Sequence, residues 1–191
     1  MRRLVPVLIV ATVLALIAAV GADHPAAPVP AAATAKPARA QVEQAHKQAQ
    51  ACRAILGAPA HPTRYHWRTT RSSAYLAWML QLWDDRRLEC QAAVDEAKHT
   101  DLMVAMRVVF PPWSWARWRI ILRCETGGTF SNSVVGAAGE TSGFQIHPPS
   151  HPWYDEDRGH RDAYYGALSA KRVLHSQGWG AWTCARINGL A

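Results

Sequence analysis

Cys124-Glu125-Thr126 closes an aromatic, apolar segment and runs straight into Gly127-Gly128. Trp115, Trp118, Ile121, Leu122 and Glu125 recur at spacings of three and four, so a helix through them carries one carboxyl group on the same face as indole and aliphatic side chains. The paired glycines stop that helix immediately afterwards. A carboxyl group near a helix C-terminus feels the negative end of the backbone dipole, and apolar neighbours desolvate it. Both effects favour the protonated form and predict a raised pKa. Such a group suits a general acid that protonates a leaving oxygen near neutral pH, the task a glycosidic bond sets. Taken alone, the pattern fits a solvated glutamate at a helix end better, and the segments downstream reverse that preference.

Gly139-Glu140-Thr141-Ser142-Gly143-Phe144-Gln145-Ile146 follows, and then, beyond a further helical stretch, Gln177-Gly178-Trp179-Gly180-Ala181-Trp182-Thr183-Cys184-Ala185-Arg186. With these three ordered motifs the chain, from about Trp118 to Arg186, resembles the lysozyme-like superfamily. The likeness is to resuscitation-promoting factors and soluble lytic transglycosylases, which cleave the glycan strands of bacterial peptidoglycan. Those families pair a Cys-Glu-Ser-Gly-Gly type motif with a glycine-rich Gly-Leu-Gln or Gly-Leu-Met-Gln-Ile segment, and resuscitation-promoting factors end in Gly-Trp-x-x-Trp-x-x-Cys. Here Thr126 replaces the serine, Phe130 stands where a tryptophan is common, and Ser142-Gly143-Phe144-Gln145-Ile146 is nearer the transglycosylase version.

The resemblance implies that Glu125 is the catalytic acid/base. It also implies that Thr126, the backbone around Gly143, the Gln145 amide and Trp182 meet the substrate. Gln145 also fits a loop-structuring amide, and Trp179 and Trp182 fit core packing as well as a flat face for a sugar ring. The implied function is a secreted enzyme acting on the MurNAc-GlcNAc β-1,4 bond, lytic transglycosylase in preference to hydrolytic muramidase. In the transglycosylases the substrate's own N-acetyl group is thought to assist, and the muramyl 6-hydroxyl attacks after one glutamate switches from acid to base. The alternative is a non-catalytic wall-binding module of the same shape, since fold and activity separate readily. A third reading is a secreted helical protein unrelated to glycan.

A hydrolase would need a second carboxylate, about 5 to 5.5 Å away for retention or about 6.5 to 9.5 Å for inversion. Glu140 and the cluster Asp155, Glu156 and Asp157 are the candidates, although such clusters also begin helices. His147, His151 and His160 with Asp155 are metal-ligand types, but Pro148, Pro149 and Pro152 preclude a helical His-x-x-x-His face, so no metal site is expected. These histidines fit solvated turns or the cleft wall instead. No cofactor is implied.

Composition fixes the compartment. Met1-Arg2-Arg3, the apolar run Leu4 to Val20 and the small residues Val20-Gly21-Ala22 read as an export signal over 1–22. The apolar run of about seventeen residues is at the short edge of a membrane span, so an uncleaved segment would act as an N-terminal membrane anchor. Four cysteines fit an oxidising exterior and allow three connectivities. Cys52-Cys90 and Cys124-Cys184 are expected, because each pair closes within one helical block and the second matches the resuscitation-factor pattern. A formal net charge of +7, with the basic residues scattered, points to an anionic envelope such as peptidoglycan and not to nucleic acid.

The elements around these residues are predominantly helical. Residues 23–40 are rich in Ala and Pro and read as an extended tether. Gln41 to Leu56 carries Ala45, Ala49, Cys52 and Leu56 on one face and ends at Gly57; a second helix from Ser73 keeps its period to Ala97 and breaks near Lys98 to Asp101. Together these make a separate helical block, 41–110, either packed on the catalytic block or standing as an independent hairpin stapled by its disulfide, with an unidentified cell-wall partner enzyme as a candidate occupant of its surface. Pro111-Pro112 marks the boundary to a catalytic block, 113–191, in which Thr129 to Ile146 forms a small irregular or β-hairpin lobe and Ala163 to Leu174 one more amphipathic helix ending at Gly178. The expected fold is mainly α, lysozyme-like α+β.

Overall fold

The computed structural model describes residues 38–62 and 66–191. The export segment 1–22 and all but the last three residues of the tether 23–40 lie outside them. Seven α-helices and no named strand make up the described residues, so the protein is mainly α. Among the described residues no helix is long and apolar enough to cross a membrane.

The first helix, α1 (Arg39–Leu56), buries Val42, Ala45, Ala49 and Cys52, a stripe at spacings of three and four. Gly57 ends it with φ 72°, a left-handed conformation that costs glycine nothing. Helix α2 (Ser73–Ala97) starts where the Ser72 hydroxyl accepts the Tyr75 N–H at 3.2 Å, and it buries Leu76, Met79, Trp83, Cys90 and Val94 against α1. Trp67 caps this two-helix core. The disulfide Cys52–Cys90 ties the pair, with Cα atoms 6.1 Å apart.

Asp101 then accepts the N–H groups of Met103 and Val104 at 2.8 and 2.9 Å, beginning α3 (Leu102–Val109). Here the expected division into two blocks changes. Val104 packs beside Cys52, Cys90 and Val94, while Leu102, Ala105 and Met106 enter the larger core. A helix buried on both sides cannot belong to one block alone. Arg107 Nη1 on α3 donates to the Ile55 carbonyl of α1 at 3.1 Å, and the Ala163 N–H donates to the His99 carbonyl just before α3 at 2.9 Å, so hydrogen bonds tie the α3 region to both sides. The described residues form one compact unit, and the helical block is an integral part of it. Pro111 and Pro112 mark only the corner between α3 and α4 (Trp115–Glu125).

Trp118, on α4, is the hub of the larger core. Its ring lies 4.4 Å from Phe110, 5.6 Å from Phe144 and 4.9 Å from Trp182, the last two edge-on. Ile121 and Leu122 extend the stripe, and α6 (Ala163–Gln177) closes it with Ala163, Ala167, Ala170 and Val173. The short helices α5 (Glu156–Arg161) and α7 (Thr183–Ile187) flank α6. Asp155 caps α5 by accepting the Arg158 N–H at 2.9 Å, with Glu156 and Asp157 in its first turn, so the acidic cluster starts a helix.

Between α4 and α5 the chain makes the irregular lobe. Its β character is confined to two isolated bridges, Val135 with Thr141 and Thr141 with Ile146. Ser142 and Gln145 take φ of 65° and 51°, and the Phe144 N–H donates to the Ser142 hydroxyl at 3.2 Å to support the turn. Gly143 sits at its centre, where a Cβ would collide with both methyl groups of Leu102 on α3. Replacing Gly143 with Ala should therefore destabilise the protein by about 1–3 kcal/mol through overpacking, read as a lower denaturation midpoint, while leaving the slope with denaturant unchanged.

Candidate active site

Glu125 is the last residue of α4, half-buried behind the Trp118 stripe. The disulfide Cys124–Cys184 holds the start of α7 against this helix end, with Cα atoms 5.8 Å apart. As a direct result the Cys184 N–H donates to Glu125 Oε1 at 3.1 Å. Both expected disulfides are present.

Four influences act on that carboxyl group. Burial is the largest and raises its pKa; the Cys184 N–H lowers it by favouring the charged form; Glu140 raises it by like-charge repulsion; Arg186 lowers it. The balance lies above the ordinary value of 4.5. The direction agrees with the sequence argument, and burial is its leading cause. Glu140 supplies a contribution that the helix pattern alone could not reveal, because it comes from the lobe.

Glu125, Glu140, Gln145 and Ile146 line one side of a cleft, and His147, Ser150 and His151 continue it. Val173 and Gln177 of α6, with Ala181, Trp182 and Thr183, form the rest. The cavity is about 170 Å³, below the roughly 300–1,000 Å³ of pockets that engulf a small molecule. His147 Nδ1 is 2.7 Å from the Ser150 hydroxyl, and burial, then the positive fields of His147 and Arg172, lower the pKa of His151. Among the described residues no group of three or more His, Cys, Asp or Glu side chains is placed to hold a metal.

The other sequence-predicted residues divide. Gln145 is on the cleft wall, but its amide nitrogen is committed to the Ser142 and Val134 carbonyls at 2.8 and 3.3 Å, which makes it a loop-structuring group that presents its oxygen. Trp182 reaches the cleft with one edge; its ring is buried and its Nε1–H donates to the Phe144 carbonyl at 2.8 Å. Thr126 is buried and faces away: its hydroxyl donates to the Leu122 carbonyl at 2.7 Å and accepts the Phe130 N–H at 3.0 Å, closing the helix end. Gly143 is buried too, with its N–H donated to Asn132 Oδ1 at 3.3 Å, so its backbone serves packing. Ser150, Val173, Gln177 and Thr183 were not foreseen. The one available signal was on α6, where Gln177 follows Val173 by four residues and so ends an apolar stripe with a polar group.

No protein-family model, curated protein or solved structure matches this chain.

The burial of Glu125 has a measurable cost. A carboxyl group whose folded pKa is raised binds its proton more tightly in the native state, so stability falls as pH rises from the ordinary 4.5 through the raised value. Glu125→Gln keeps an acceptor for the Cys184 N–H and removes the charge. The variant should melt a few degrees above the parent at pH 7, with the difference vanishing below about pH 4.

Proposed function

We propose that the protein is an exported enzyme that cleaves the glycan strands of peptidoglycan at the MurNAc-GlcNAc β-1,4 bond, with a lysozyme-like fold and Glu125 as general acid and then general base. The observation that carries this reading is the raised pKa of Glu125 in the wall of an open cleft. A protonated Glu125 donates to the leaving glycosidic oxygen. The resulting carboxylate then takes a proton from the attacking hydroxyl, and the Cys184 N–H and Arg186 favour that charged form. One group whose proton is held by burial and whose charged form has a hydrogen-bond donor can serve both steps. The resemblance to resuscitation-promoting factors and lytic transglycosylases supports the same reading, and so do the oxidised cysteine pairs and the basic charge, which suit the acidic wall outside the cell.

With the muramyl 6-hydroxyl as the attacking group, no second carboxylate is required and the product ends in a 1,6-anhydro ring. Hydrolysis is the second reading. Its specific support is Glu140, a carboxyl group on the same cleft wall, near enough to raise the pKa of Glu125 and able to orient a water.

Purified sacculi distinguish these readings from one another and from a binding module. The wild-type chain should release soluble muropeptides, and Glu125→Gln should release them at least about a hundredfold more slowly, the usual contribution of a general acid. The rate should fall as pH rises through the Glu125 pKa, since the free enzyme must carry that proton. Mass spectrometry should find anhydro ends, one water lighter than reducing ends; reducing ends lost on Glu140→Gln would assign hydrolysis. Equal release by the wild type and Glu125→Gln would remove the whole proposal.

A further inference from the structure

Trp113 is 78% exposed, the most solvent-facing large apolar side chain among the described residues. It sits in the turn before α4, at the opposite end of that helix from Glu125. The helix is eleven residues long, about 16 Å at roughly 1.5 Å per residue. Together with Phe110, Pro111, Leu174 and Trp179 it lines a groove of about 490 Å³ that is distinct from the cleft.

The rim of this groove is cationic. Lys171 and His175 line it, and no Asp or Glu does. The Arg117 guanidinium lies 4.7 Å from the centre of the Trp179 ring, so the second indole carries a positive charge on one face. One exposed indole, Trp113, and the free edge of a half-buried one, Trp179, beside Lys171 and Arg117 suit a polymer that alternates apolar ring faces with carboxylates. An indole face is apolar and electron-rich, whereas the C–H face of a pyranose is apolar and electron-poor. A neutral aliphatic partner would leave the cations unused, and nucleic acid would demand a broader basic stripe.

The groove and the cleft are neighbours across one turn. Gly178 and Trp179 face the groove, while Ala181 and Trp182 face the cleft. Gly178 and Gly180, on the ridge between, have nothing within 4 Å of where a Cβ would be. A chain passing over that ridge meets no side chain at either position.

We propose that this groove is a second, non-catalytic binding site for the peptidoglycan glycan strand, with Trp113 and Trp179 against sugar rings and Lys171 facing the lactyl or stem-peptide carboxylates. The assignment rests on the function proposed above. Such a site raises the local concentration of a long, insoluble substrate at the cleft and contributes nothing to cleavage of a fragment too short to reach it.

The test uses the full chain carrying Glu125→Gln, so that binding is read without turnover, and sacculi stripped of covalently attached polymers. Adding Trp113→Ala should weaken sacculus binding about tenfold, the loss of one well-placed aromatic contact. Lys171→Glu should weaken it in a salt-dependent way. In the catalytically intact chain, Trp113→Ala should slow release from sacculi and leave the rate on short soluble muropeptides unchanged. Sacculus binding that both substitutions leave intact overturns the proposal. So does a change of oligomeric state on Trp113→Ala with sacculus binding intact, which would make the groove a contact between copies of the chain. If the wild type releases no fragments yet Trp113→Ala loses sacculus binding, the anchoring site stands and the catalytic reading falls.

Discussion

The apposition of two helix ends governs this molecule: the C-terminus of α4 and the N-terminus of α7, joined by Cys124–Cys184. Closing a loop of 60 residues removes enough freedom from the unfolded chain to stabilise the fold by about 4 kcal/mol in the chain-entropy model. It also brings the Cys184 N–H to the Glu125 carboxyl group. Burial favours the protonated form of that group, and the Cys184 N–H favours the charged one, so this junction sets the two largest opposing influences on its proton.

The remaining architecture serves this junction. Trp118 is gripped by Phe110, Phe144 and Trp182, each from a different segment, so the helix bearing Glu125 cannot turn without disturbing all three. The lobe reaches the same core through Phe144 and Ile146, and its bridge at Thr141 holds Glu140 and Gln145 beside the cleft. Helix α3 transmits this order to α1 and α2 by burying Val104 on one side and Met106 on the other. The helical block thus reinforces the half that carries the cleft.

Legibility in the sequence followed the range of the interaction. Helices α1, α2 and α6 were readable because apolar period, capping residues and terminal glycines are all local, and the place of Glu125 at a helix end was readable for the same reason. The packing roles of Thr126 and Gly143 were not legible, because they depend on the Leu122 carbonyl inside a finished helix end and on Leu102, distant in the chain. Pro111-Pro112 looked like a domain boundary because proline breaks a helix, yet a break in the helix says nothing about where α3 packs. Glu140 and the cleft face of α6 depend on how the lobe folds back, which no periodicity encodes.

The account stands on the protonation of one side chain. Carbon-13 NMR of the Glu125 carboxyl group, followed through a pH titration of the disulfide-intact chain, reads it directly. The midpoint should lie clearly above the ordinary 4.5 and should drop when Glu140 is replaced by Gln. A midpoint at or below 4.5, unmoved by that substitution, would contradict the account.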